Sequence, residues 1–187
     1  MFAIIGISGN VGGAAARALL KAGKSVRGVV RDQARAVSWA EKGVELVTAD
    51  VNDAPALEKA FCGLEGVFVM APPNFAPEKG YPETRAIVSS LRQALAAARP
   101  AKVVYLSSVG AHKKHGLGLI TQSHILEQEK SSLRSSNAFI RAAWFMENYQ
   151  WDAGSARERG EIDVYLSPVQ REFPMVGTEE VRNILRA

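Results

Sequence analysis

The chain has 187 residues, a hydrophobic share of 47% and a formal net charge of +4, which fits one folded domain and excludes wholesale disorder. The positive excess is small and scattered, with Lys113-Lys114 the sole basic dipeptide, so it suits an anionic small ligand rather than a nucleic-acid groove. A single cysteine, Cys62, cannot make an internal disulfide, which points to a reducing, cytoplasmic setting, and no apolar run reaches the ~18 residues of a membrane span.

Short apolar runs alternate with helical stretches. Phe2 to Ile5 reads as a strand closed by Gly6; it is too short for a signal peptide and turns straight into glycines. A helix follows over Val11 to Lys21, with Asn10 as its N-cap and Gly23 as its stop. Ser25 to Val30 is the second strand, Ala34 to Lys42 a helix ended by Gly43, and Val44 to Ala49 the third strand. Ala54 to Phe61 is a helix, with Cys62 after it as a packing residue. Val67 to Met70 is the fourth strand, broken by Pro72-Pro73, and Pro82 to Ala98 a long helix stopped by Pro100. Lys102 to Leu106, Ile120 to Leu133 and Ala138 to Phe145 form a last strand–helix–strand unit. Beyond Glu147 the signals weaken, although Glu179 to Arg186 looks helical. Continuous apolar strands alternating with helices predict an α/β fold, a doubly wound parallel sheet covered on both faces.

Gly6-Ile7-Ser8-Gly9-Asn10-Val11-Gly12 places three glycines between the first strand and the first helix. In that setting glycine allows a tight turn, and its missing side chain lets a pyrophosphate approach. Free N–H groups and the helix dipole then favour the anion. Arg31 and Arg35 follow the second strand, where two guanidiniums can fork around a 2′-phosphate, so NADP is favoured over NAD. Asp32 between them either serves a ribose or caps the helix near Ala34. Asp50-Val51 ends the third strand near an adenine position, though Asp50 could equally cap the next helix. Ala71-Pro72 ends the fourth strand and Ser107-Ser108 the fifth, at the carboxyl edge where ligands bind. His112 and His115 have an H-x-x-H spacing but no third ligand, so no metal site is expected.

Together these segments resemble the atypical short-chain dehydrogenase/reductase superfamily, and more narrowly the NmrA-like family and its NADPH-dependent quinone oxidoreductase branch. The resemblance also rests on Val104 to Ser108, His124 to Lys130, Ile140-Arg141 and Trp144 to Tyr149. It implies a Rossmann-type domain over residues 1–158 and a truncated C-terminal substrate lobe over 159–187. It implies pyrophosphate on Gly6, Ser8, Gly9, Asn10, Val11 and Gly12, and the 2′-phosphate on Arg31. Ala71-Pro72 and Ala142-Ala143 would flank the cofactor. The resemblance has one departure. The superfamily's Tyr-x-x-x-Lys pair falls on Ile120 and His124. A positioned general acid is worth about 10²–10⁴-fold in rate, so its loss points to an acceptor, such as a quinone, whose reduced anion water can protonate. His124 is left as a candidate contact to the ribose or a substrate oxygen.

Three readings of function follow. One is an NADPH-dependent reductase of a small-molecule electron acceptor. Another is an NADP(H)-binding redox sensor that turns over little. A third is a nucleotide-binding domain whose substrate part lies elsewhere. A short tail would leave apolar surface near Trp144, Phe145 and Trp151, which a second copy of the chain could cover in a homodimer.

Overall fold

Six strands join in one all-parallel sheet with the order β3-β2-β1-β4-β5-β6. They are β1 (Phe2–Ile5), β2 (Val26–Val30), β3 (Glu45–Thr48), β4 (Gly66–Val69), β5 (Lys102–Ser108) and β6 (Ser136–Ala142). The computed structural model describes residues 1–128, 135–162, 168, 170 and 172–184. Strand order reverses between β1 and β4, which opens a crevice above the carboxyl ends of both, the usual ligand site of such sheets.

Helices cover the two faces. On one, α3 (Ala54–Phe61), α4 (Pro82–Ala98) and α5 (Thr121–Gln128) pack a core around Leu57, Phe61, Leu91, Leu95, Val69 and Val103, all buried. On the other, α1 (Asn10–Lys21) and the single turn α2 (Val37–Ala40) enclose Ile4, Ile7, Val26 and Trp39. Alternate residues of one strand serve the two cores, Ala3 one and Ile4 the other, as a sheet buried on both sides requires.

Several expectations shift. Helix α1 starts at Asn10, so Gly9 and not Asn10 is the N-cap: Gly9 is extended (φ −90°, ψ 172°) and its carbonyl accepts the Gly13 N–H at 2.9 Å. The helix expected over Ala34 to Lys42 is a 3-10 turn, Gln33–Ala36, followed only by α2. The Asp32 carboxylate accepts from Ala34 N at 2.9 Å and tightens that first turn. Asp53, not Asp50, caps α3 by accepting from Ala56 N. The sixth strand begins earlier and ends at Ala142. Trp144–Phe145 leaves the sheet as β7 and pairs in parallel with β8 (Met175–Val176) in a separate two-stranded sheet. Cys62 is exposed at the end of α3, so it is not a packing residue. The helix expected to reach Leu133 is described to Gln128, and 129–134 lie outside the described residues.

Past Glu147, where the sequence is least regular, a 3-10 segment (Met146–Asp152) leads into α6 (Ala153–Arg159), which ends at Gly160 in the left-handed region (φ +70°). The chain returns through β8 to α7 (Thr178–Ile184), packed on α1, and Val181 is 2% exposed within the same core as Ile4 and Ile7. Glu147 ties this return in place: its Oε1 accepts from the Thr178 N–H at 2.8 Å and the Thr178 hydroxyl at 2.7 Å. Val181, within the 159–187 segment, is thus part of the main core.

Candidate functional site: a glycine cradle and a cavity at the sheet edge

The turn after β1 separates two kinds of glycine. Gly6 has φ +72°, and its N–H-accepting carbonyl closes the turn on Gly9 N at 3.0 Å. A Cβ on Gly12 would lie 2.2 Å from the Gly6 oxygen, so α1 can approach β1 only with hydrogen at that position. Gly9 differs. Its backbone suits any residue, and a Cβ there would meet only the Gly6 oxygen, at 3.4 Å. The protein's own packing does not require glycine at position 9. Ser8, Gly9 and Asn10 are exposed, and no side chain caps the α1 N-terminus. The first-turn N–H groups of a twelve-residue helix are therefore left without a side-chain cap beside an exposed stretch, Ser8 to Asn10, in which Gly9 adds no side chain: an open cradle. That geometry fits the pyrophosphate of a dinucleotide.

The neighbouring strand ends supply the rest. Arg31 and Arg35 are exposed, and neither guanidinium has an ion pair or hydrogen bond with the described residues. By contrast Arg27, at the other end of β2, is held by Glu45 at 3.0 Å and by the Ala60 carbonyl at 2.9 Å. Asp32 is committed to its cap. Asp50, past the end of β3, accepts from Asn52 N at 2.8 Å, closing a local turn, and Val51 packs against the core. Ala71 and Pro72 lie just beyond β4.

Two expected ligand contacts turn inward instead. The Ser107 hydroxyl is buried and donates to Glu127 Oε1 at 2.5 Å. The Glu127 carboxylate, 8% exposed, receives Arg141 at 2.9 and 2.7 Å in a bidentate pair. This triad ties the carboxyl ends of β5 and β6 to α5. Its hydrogen bonds to Glu127 raise the Arg141 guanidinium pKa. His124 Nδ1 lies 2.7 Å from the Ala111 carbonyl oxygen, so the ring anchors the loop after β5. Two of the tyrosines, Tyr105 and Tyr81, do not replace the absent acid. Tyr105 is buried, stacked on Phe139 at 4.7 Å, and burial pushes its phenol up. Tyr81 donates its hydroxyl to the Gly118 carbonyl at 3.0 Å. No tyrosine in the sequence has a lysine four residues on.

Sequence reasoning missed the cavity beside this edge. It measures about 120 Å³ and lies between the loop after β4 (Pro72, Pro73, Phe75), Leu106 of β5, and Leu119 and Leu126 around α5. Gln122 holds that loop: its amide accepts from Asn74 N at 3.0 Å and donates to Asn74 O at 2.9 Å. The Pro72-Pro73 break signalled a loop, but its tether is one glutamine 48 residues away, with no local pattern to announce it.

A family model described as the NmrA-like family matches residues 1–181. The chain belongs to the NmrA-like family. It is 29% identical over 164 residues to quinone oxidoreductase 2 of Escherichia coli (strain K12), covering 86% of this chain and 54% of that protein. It is 25% identical over 165 residues to the NAD(P)H azoreductase of Xenophilus azovorans, covering 87% and 54%. Among solved structures, the Escherichia coli NADPH-dependent quinone oxidoreductase complexed with NADPH superposes with a TM-score of 0.72 at 25% identity, over 86% of this chain and 55% of that one. The chain spans about half the length of the curated relatives it matches.

Proposed function

We propose that this chain is an oxidoreductase that uses a nicotinamide dinucleotide, NADPH in preference to NADH, to reduce a quinone-like acceptor. The observation that carries this reading is the Gly9 cradle, left open beneath an uncapped helix N-terminus, with two guanidiniums at the adjacent strand end that have no partner among the described residues. Kinship with a quinone oxidoreductase and an azoreductase supports it.

The N–H groups at the start of α1 would hold the pyrophosphate, and Arg31 with Arg35 would hold a 2′-phosphate. Asp50 and Val51 would border the adenine, and Ala71 and Pro72 the crossing of the sheet edge. Bound there, the cofactor supplies a hydride. The protein's own part is to fix that edge through Ser107, Glu127 and Arg141, and to exclude water with the Phe75 loop. Tyr81 and Tyr105 are committed elsewhere and do not serve to protonate a strongly basic alkoxide. A quinone avoids that need, because its reduced oxygen is a stabilised phenolate that takes a proton from water.

His124, bound to the Ala111 carbonyl, also favours a second reading: an NADP(H)-responsive regulatory protein with little turnover. One experiment separates the readings. NADPH and NADH are titrated calorimetrically, and initial rates are then measured with a quinone and a simple ketone at matched concentration. The expected result is tighter NADPH binding and quinone turnover well above ketone turnover. Faster ketone turnover refutes the chemical argument, and binding without turnover of either favours the sensor.

A further inference from the structure

The cavity at the sheet edge has a composition that narrows what it can hold. At about 120 Å³ it is smaller than the roughly 150 Å³ cavity that encloses one benzene ring, but it opens to solvent, so it can take one edge of a ring without enclosing the whole of it. Its walls are proline, leucine and phenylalanine, with only two polar side chains, Gln122 and Ser123. Gln122 has no capacity left. Its oxygen accepts from Asn74 N at 3.0 Å and Thr84 Oγ1 at 3.3 Å, while its nitrogen donates to Asn74 O at 2.9 Å and Leu119 O at 3.4 Å. A carboxamide offers two donors and two acceptor sites, so all are used. Ser123 is the opposite case: half-buried in the lining, its hydroxyl has no hydrogen-bond partner among the described residues. It lies on α5 three residues after Ile120, one helical turn on. Phe75, 64% exposed, forms the rim, and Trp151, 67% exposed, meets it edge-on with ring centroids 6.0 Å apart.

We propose that this cavity is the acceptor subsite, that it seats one carbonyl-bearing aromatic ring, and that the Ser123 hydroxyl donates a hydrogen bond to the oxygen that becomes negative. The proposal rests on the oxidoreductase reading and adds the residue that touches the substrate. Bound NADPH would supply the two electrons as hydride; the pair would end on the quinone oxygen facing Ser123, and water would supply the proton. Serine is too weak an acid to give up its proton, but its hydrogen bond strengthens as that oxygen gains charge.

The test needs no turnover. 4-Nitrophenol, one ring with an ionisable oxygen and a visible absorbance, is titrated into the full chain with and without NADPH. Tetramethylbenzoquinone, which does not alkylate the exposed Cys62, serves as competitor. The phenolate is expected to bind and to be displaced by the quinone. Ser123→Ala should weaken it about tenfold, the usual worth of a hydrogen bond to a charged group. Ser123→Thr, which keeps the hydroxyl, should restore most of the affinity, with NADPH affinity and melting temperature unchanged in both variants. Equal phenolate affinity in wild type and Ser123→Ala, absence of binding, or no displacement by the quinone overturns the assignment. NADPH affinity is read separately. Its absence would count against the oxidoreductase reading, while phenolate binding still decides the subsite.

Discussion

Gly9 and Gly12 look alike in the sequence motif but answer to different demands. A Cβ at Gly12 would collide with the Gly6 carbonyl at 2.2 Å, so Gly12→Val should lower the melting temperature sharply. A side chain at Gly9 meets only the edge of contact, so Gly9→Val should fold normally and lose NADPH binding. Calorimetry and circular dichroism on the same samples check both; tight NADPH binding by folded Gly9→Val would move the site off this loop. Arg31 gives the second residue-scale prediction. Its guanidinium is unpaired among the described residues, so removing it orphans no described carboxylate. Arg31→Ala should weaken NADPH about tenfold or more and leave NADH nearly unchanged, because one charge-assisted contact to the 2′-phosphate is lost. Equal losses for both cofactors would refute the assignment.

At the scale of elements, legibility followed distance along the chain. Local signals located β1, α3 and α4: an apolar run closed by Gly6, a helix stopped near Gly63 and a long helix stopped by Pro100. The departure of β7 from the sheet was hidden, because it depends on Met175 and Val176 lying beside Trp144 and Phe145, some thirty residues on. The inward turn of Ser107 was hidden for the same reason: its partner, Glu127, lies on another element. The docking of α7 is another long-range event, and it makes a testable claim about pH. Burial pushes the Glu147 carboxyl pKa up, but the hydrogen bonds from the Thr178 hydroxyl and N–H outweigh that and leave it below the usual carboxylate value. A carboxylate with a depressed folded-state pKa adds stability above its unfolded value, about 4.3, and loses it as pH falls through the folded one. The Arg17–Glu179 pair between α1 and α7 is exposed and adds little. Glu147→Gln should therefore melt below wild type at neutral pH, and the gap should shrink as pH falls below the ordinary carboxylate range and through the lowered folded-state pKa. A gap of constant size would show that the Glu147 charge does not hold α7 in place.

For the whole molecule, the surface is as informative as the core. Below the sheet's carboxyl edge the described chain leaves large apolar side chains in solvent: Phe75 at 64%, Trp144 at 49%, Met146 at 53%, Tyr149 at 43% and Trp151 at 67% exposed. Four of these five fall within Trp144 to Trp151, on β7 and the 3-10 segment after it, and Phe75 joins them through its contact with Trp151. Scattered single exposures are ordinary, but a grouped aromatic set next to a ligand cavity is a surface to be covered. We propose a second copy of this chain as the cover. The expectation is that the chain binds a hydrophobic dye at low concentration and associates as concentration rises. Dye fluorescence and light scattering should then change in opposite directions along one dilution series. Replacing Trp151 with serine should reduce both signals, while leaving NADPH affinity intact, since the groups assigned to phosphate and adenine lie on the opposite half of the sheet, from β1 to β3. A chain that stays monomeric at every concentration and binds no dye would show that these side chains pack less openly in solution, and would remove the case for a dimer.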